Sequence, residues 1–308
     1  MDEASPRGYV LDYSDLVDAI GPDDDRGLPL TTTLAAPRQS PAALAKYGLG
    51  SLELYLRTGN PARRAAVETV ARWLIENNEE IPCGFLGWPM PVVPRAYARD
   101  LPEHWFSGEA HAECISLLSR ASALLGVDGA DETVRRAVGG LWTPIDDGGL
   151  ARELGEGGAE GGLESALFVE QFPMEDRPSL VLGTQLRAMT ALRDTSLPHS
   201  LGPDEGVRAT LGRMERGLTH VLDSYDTGYW SRFDLDERWR GTPLASPLRH
   251  GEHVLQLERH ARLSGNGLVA ATASRWRRYA AHAGLRRRAW WGRLGFWIAN
   301  RGLHPSEY

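Results

Sequence analysis

The sequence predicts an all-α protein, an α/α toroid or incomplete α/α barrel of helical hairpins with a small β-hairpin insertion near its cleft. Three observations predict it. A helical hairpin pattern recurs four times along 308 residues. The hairpins are separated by glycine- and proline-rich connections, long enough to gather at one end of a barrel. The composition, 42% apolar and 24% charged, is that of a chain able to bury a sizeable core.

The first hairpin is residues 41–77, PAALAKYGLGSLELYLRTGNPARRAAVETVARWLIEN. Leu44, Leu49, Leu52 and Leu56 recur at helical spacing. Thr58-Gly59-Asn60-Pro61 then ends one helix and starts the next: Gly59 suits a left-handed C-cap and Pro61 a first-turn position. Ala66, Val70, Trp73 and Leu74 form the apolar stripe of the second helix. The design returns at 105–142, 178–222 and 249–282, where Ser264-Gly265-Asn266 repeats the punctuation. Successive hairpins start about 60 to 70 residues apart, longer than common solenoid periods. The excess lies in the connections 78–104, 143–177 and 224–248. Inner and outer rings of helices follow, and an open superhelical array is the other arrangement the pattern allows. Residues 148–172, GGLARELGEGGAEGGLESALFVEQF, are poor in helix signal and read as a glycine-rich β-hairpin over the cleft. The chain then divides into an entry segment (1–40), a toroid (41–282) and a basic, Trp-rich C-terminal helix (283–308). Asp23-Asp24-Asp25 reads as a solvated turn.

A net charge of −7 argues against a nucleic-acid partner. Arginine dominates the cations; Lys46 is the only lysine. Ten Trp and nine Tyr suit both core packing and a sugar-binding cleft, where rings stack on pyranose faces. Cys83 and Cys114 have no metal-ligand spacing, and neither His111 with Glu113 nor His250 with His253 has the third element of a zinc signature. No metal and no cofactor is therefore expected. The acidic N-terminus lacks a signal-peptide pattern, and no apolar run is long enough to span a bilayer, so a cytoplasmic location is expected. Residues 275–301 hold eight arginines and no acid among four tryptophans. This stretch reads as a helix over the barrel end, a contact with a membrane surface, or a contact with a polyanionic glycan. A homodimer is left open.

Five segments, in order, carry a resemblance to a known family. KYGLGSLELYLRTGN (46–60) is followed by GWP (87–89) and WFSGEAHAECISLLSRA (105–121). Then come FVEQFP with PSLVLGTQLRAMTALRD (168–194), and YDTGYWSRFDL (225–235) with LASPLRHGEHVLQLERH (244–260). These resemble the C-terminal domain of the D-glucuronyl C5-epimerase family, which acts on heparan-type polysaccharides. The resemblance covers roughly residues 40–282, and the family's separate N-terminal β-domain has no counterpart in the sequence.

The resemblance implies proton abstraction next to a sugar carboxylate and its return to the opposite face. That reaction needs acid/base groups on both faces and cations to hold the developing charge. The family's Glu-Tyr pair falls on Gln171 and Phe172, one of its tyrosines on Phe233, an arginine on Asp236, and a further tyrosine on Arg249. Phenylalanine moves no proton, and glutamine is no base near neutral pH. The titratable groups offered instead as catalytic candidates are His250, His253, His111, Glu170 and Arg249. Substrate-binding candidates are Arg232, Phe233, Trp230, Tyr229, Gln171, Phe172, Glu113, Trp88, Trp105 and Tyr47. The expected ligand is a uronic-acid-containing glycan or another anionic small molecule. Two other readings stand beside an active epimerase: a diverged member that binds glycan without turnover, and an enzyme redirected to natural-product biosynthesis.

Overall fold

The computed structural model describes residues 8–19, 24–32, 37–81, 83–155, 165–198, 200–202 and 204–301. Asp23, the tip of the glycine-rich segment and the last residues of the tail lie outside these. The architecture is helical. A short helix α1 (Ser14–Ala19) precedes four hairpins: α2 (Pro41–Thr58) with α3 (Pro61–Glu76), α4 (Gly108–Leu125) with α5 (Ala130–Ala137), α6 (Leu182–Asp194) with α7 (Glu205–Val221), and α8 (Pro247–Ser264) with α9 (Gly267–Ala281). Helix α10 (Ala283–Ala299) closes the described chain. Helices α2, α4, α6 and α8 pack side by side as an inner row, and each packs its partner outside. Four hairpins in this order make the incomplete toroid that the repeat predicts.

Local chemistry sets the hairpin boundaries. Gly59 and Gly265 adopt φ of 68° and 70° and cap α2 and α8, a conformation that costs a side-chained residue 1–2 kcal/mol or so. Asn60 and Asn266 then accept hydrogen bonds from Ala62 N and Leu268 N to start α3 and α9. Ser107 and Ser246 do the same for α4 and α8. Helix α6 begins at Leu182 rather than near Pro178. The reason is Leu180, held at φ 47° by a bond from its N–H to Glu170 Oε2 (2.9 Å) and one from the Tyr225 hydroxyl to its carbonyl.

Among the described residues the strands form three antiparallel pairs: β1 (Thr31–Thr32) with β2 (Pro37–Arg38), β3 (Glu79–Glu80) with β4 (Leu86–Gly87), and β5 (Ala151–Leu154) with β6 (Ala166–Val169). The last pair is the hairpin expected within 148–172, in register Ala151 to Val169. Gln185 of α6 anchors it. Its Nε2 donates to Leu167 O and Met214 O, and its Oε1 accepts from Val169 N at 2.8 Å. Gly217 lets the hairpin lie against α7: a Cβ there would stand 2.2 Å from Leu167 O. Gly108 does the same for the chain after β6, where a Cβ would stand 2.2 Å from Glu170 O.

The principal core runs between the inner and outer helices and includes Leu44, Leu49, Trp88, Leu117, Leu186, Leu257 and Trp276. The entry segment joins this core through Leu11, Tyr13 and Leu28. A second cluster, Tyr97, Trp105, Phe172, Met174, Val181 and Phe233, glues the long connections together over the inner-helix N-termini. No helix among the described residues is long and apolar enough to cross a membrane.

Candidate functional site

The inner helices present charge where an all-apolar row would be simplest. Residues at i and i+4 share a helix face, so Glu109 and Glu113 of α4 point the same way, toward Lys46 of α2, Arg187 of α6, and Arg249 and Glu252 of α8. Lys46 Nζ lies 3.0 Å from Glu109 Oε1 and 3.7 Å from Glu113 Oε2. Arg187 Nε donates to Glu113 Oε1 at 2.9 Å, and its Nη2 to Glu252 Oε2 at 2.8 Å. Arg249 Nη1 donates to Glu109 Oε1 at 3.0 Å and to Glu252 Oε2 at 3.1 Å. Tyr13, from the entry segment, completes the cluster by donating its hydroxyl proton to Glu113 Oε1 at 2.7 Å.

Exposure grades across this cluster. The side chains of Arg187 and Glu113 are sealed at 0%, Glu109, Arg249 and Glu252 are 6–10% exposed, and Lys46 reaches 20%. Solvent therefore meets the cluster first at Lys46, with Arg249 and Glu252 next. Burial pushes every carboxyl up, and the cations decide which stays charged. Arg249, Lys46 and Arg187 overcome burial at Glu109 and hold it well below the usual carboxylate range. Arg187 and Arg249 bring Glu252 down to about 2. At Glu113 burial wins over Lys46 and Arg187, and the carboxyl is raised.

The structure does not bring the five catalytic candidates into one constellation. Arg249 belongs to the charged cluster. His111 faces its own outer helix: Nε2 donates to Ala137 O at 2.9 Å, the ring packs on Phe85 and Trp88, and burial lowers it to about 4. His250 also turns outward. Its Nδ1 accepts from Ser231 N, so the proton sits on Nε2 and is donated to Trp276 O at 3.1 Å. The ring stacks on Trp230 at 3.8 Å, and burial brings it to about 4. Glu170 is fully buried and accepts from Arg152 Nε, Ser179 N, Ser179 Oγ and Leu180 N. Its work is to hold the turn before α6. His253 differs: Nδ1 meets Ser231 Oγ at 3.1 Å, but Nε2, near Gly183, has no partner among the described residues. Burial, and then His250, keep it far below its usual value, hence neutral with a free ring nitrogen but weakly basic.

The aromatic substrate-binding candidates mostly pack inside the connections. Trp88, Trp105, Phe172, Trp230 and Phe233 are only 1–3% exposed, and none of them reaches the charged cluster. Phe172 stacks on Tyr97 at 4.2 Å, and Trp88, Trp105 and Trp230 spend their indole N–H groups on the carbonyls of Leu74, Val92 and Ala245. Aromatic rings in long connections are the apolar mass that lets those connections pack. Tyr229 is covered by the Arg288 guanidinium at 4.0 Å, and Tyr47 packs half-buried against the core. Gln171 is half-buried and accepts from Thr184 Oγ1. Arg232 is half-buried, and its Nε has no partner among the described residues. Glu113 alone of the binding candidates joins the cluster. A separate groove of about 390 Å³ lies among the connections, lined by Asp100, His104, Trp105, Met174, Glu175 and Arg177. It does not reach the cluster, and Arg177 there is already paired with Asp100.

The family described as D-glucuronyl C5-epimerase C-terminus matches residues 84–278, well over half of the chain. The chain belongs to this family. The matched span contains α4, α6 and α8, and with them every member of the charged cluster except Tyr13 and Lys46. Among solved structures, the cellobiose 2-epimerase of Spirochaeta thermophila DSM 6192 is similar in fold, with a TM-score of 0.59 at 13% identity. The alignment covers 86% of this chain and 65% of that one, so this family member spans less than two thirds of the solved epimerase. No curated protein matches the sequence.

Proposed function

We propose that this family member is a sugar epimerase acting by proton transfer next to a carboxylate, with the charged cluster as its site. One observation carries the reading: two of the three cations that silence Glu109, Arg249 and Lys46, lie on the more exposed side of the cluster, while the third, Arg187, is sealed beneath them. A sugar carboxylate arriving there competes for Lys46 and Arg249. Each cation it engages is withdrawn from Glu109, whose carboxyl rises toward its ordinary value and gains basicity. The anion that binds thus frees the base that attacks it. Glu109 then takes the proton from the carbon bearing the carboxylate, and Lys46 and Arg249 hold the charge that develops on the carboxylate oxygens. His253, neutral and with Nε2 unpartnered, is the second acid/base group, and Arg232 a further anion contact. The substrate class is a uronic-acid-containing glycan. The family membership supports that chemistry, and the similar solved structure, an epimerase, is in keeping with it.

The test is incubation with a glucuronate-containing polysaccharide in deuterated water. Deuterium at C5, lost in Glu109→Gln while the thermal midpoint is kept, is the expected result. No deuterium in any uronate tried sinks the epimerase reading. A second reading has its own observation: His250 and Glu170 have spent their polar atoms on structural partners. Glycan binding that is weakened by Arg249→Ala, with no exchange at any carbon, establishes that accessory, non-catalytic role.

A further inference from the structure

Helix α10 is apolar on two faces, and one of them has none of the described residues against it. The inner face is accounted for. Ala289 and Phe296 are buried, Phe296 meets Trp239, and a Cβ on Gly292 would stand 2.9 Å from Leu244. The outer face carries Trp290, Trp291, Trp297 and Ile298, exposed at 54%, 60%, 52% and 62%. At 100° per residue, Arg286, Trp290 and Trp297 fall within about 40° of one another, and Arg287, Trp291 and Ile298 fall beside them. Three exposed tryptophans and an isoleucine on one helix are a contiguous apolar patch, not scattered exposure.

The charge around the patch is of one sign. No acid occurs from 275 to 301, in a chain whose net charge is −7. Arg275 and Arg277 are held by Asp226 and Glu258 of the barrel. Among the described residues Arg286 donates to the carbonyls of Ala280 and Ala281, and Arg287 is exposed. A second copy of the same face would bring arginine against arginine. A soluble polyanionic glycan would satisfy the arginines and stack on single indoles but would leave Ile298, 62% exposed on the same face, in water. A bilayer with anionic headgroups meets both demands, since tryptophan settles at the interface and arginine at the headgroups.

We infer that α10 lies on an anionic lipid surface, its Trp290–Trp291–Trp297–Ile298 face in the interface and its arginines on the headgroups. The helix lies on the bilayer and does not span it. It packs against Trp239 and Leu244 of the connection between α7 and α8, so docking would set that end of the barrel at the membrane.

The experiment is sedimentation of the whole chain with vesicles of phosphatidylcholine mixed with phosphatidylglycerol, against vesicles of phosphatidylcholine alone. Binding to the mixed vesicles, a blue shift of tryptophan emission, and weakening at high salt are expected. Arg286→Glu with Arg287→Glu should lower the partition coefficient roughly tenfold or more, and Trp290→Ser with Trp297→Ser should abolish the blue shift. All four positions are exposed, so an unchanged thermal midpoint checks that the fold is kept. Three outcomes overturn the inference: no binding to mixed vesicles, binding indifferent to both double variants, or a dimer in solution that the tryptophan variants dissociate. Capture by heparin that is insensitive to the tryptophan variants, without vesicle binding, assigns the face to a glycan instead.

Discussion

Two buried ion clusters lie at opposite ends of the α4–α6 pair, and they are built differently. Toward the C-terminal ends, Arg120 and Asp194 form a closed pair: Nε to Oδ2 at 2.9 Å and Nη2 to Oδ1 at 2.8 Å, both side chains 2% exposed. Each charge has its partner in the planar two-point geometry that guanidinium and carboxylate favour. Toward the N-terminal ends, three carboxylates and three cations share one another, their exposure rises from 0% at Arg187 to 20% at Lys46, and Glu113 Oε2 accepts no hydrogen bond from the described residues. The lower pair is complete without a ligand. The upper cluster shares its charges among several partners, with Lys46 nearest to water, and on the proposed reading this is the side at which an anion binds.

The contrast breaks first at Arg120. Arg120→Leu leaves Asp194 charged in the interior, which costs about 3–5 kcal/mol, while changing both residues to leucine should restore most of the loss. The thermal midpoint of the single and double variants measures this. A single variant as stable as the parent would show that solvent already reaches the lower pair.

Acid comes next in size, and it separates the clusters from the histidines. His111 and His250 are held to about 4 and His260 to about 3 by burial, against 6.5 in the unfolded chain. A depressed histidine stays neutral in the fold while the unfolded chain takes up the proton. Stability is therefore full above 6.5 and falls as the pH drops toward 4, by about 1.4 kcal/mol per unit for each residue at most. Glu252, near 2 against 4.5, adds its loss only below 4.5. Urea midpoints between pH 7 and 4 should fall, and His260→Leu should flatten the slope. A flat profile in the parent would mean that the imidazoles can reach water when charged.

The hairpins were legible because they are local: Thr58-Gly59-Asn60-Pro61 and Ser264-Gly265-Asn266 contain both the stop and the next start. The β5–β6 hairpin was legible as a break in helical pattern, and the five family segments as short motifs in order. The site was legible only in part. Arg249, Glu113 and the α8 histidines could be named from sequence, but the bonds that make the cluster join Tyr13 to residues 100 and 174 positions away. No local pattern reports such a pairing. A signal did exist in Arg120 and Arg187, each set among apolar residues of an inner helix, where an arginine needs a buried carboxylate. The roles of Glu170 and His250 were hidden because their partners are backbone atoms, Leu180 N and Trp276 O, which any sequence offers.

The smallest effect on folding sharpens the comparison furthest. Lys46 is the outermost cation of the upper cluster, 20% exposed and 3.0 Å from Glu109, whose carboxylate keeps Arg249 at 3.0 Å and Arg187 at 3.6 Å when the lysine is gone. Partial exposure and redundant partners should limit the destabilisation of Lys46→Met to about 1 kcal/mol or less. The same change removes half of the edge that a sugar carboxylate would meet, and affinity for a uronate should fall by roughly tenfold. Calorimetry and a binding titration on one sample give both numbers. Small cost with large loss of affinity marks a group kept for its ligand. If Lys46→Met instead unfolds the protein as Arg120→Leu does, with affinity unchanged, the upper cluster is a second structural lock and the site lies elsewhere among the connections.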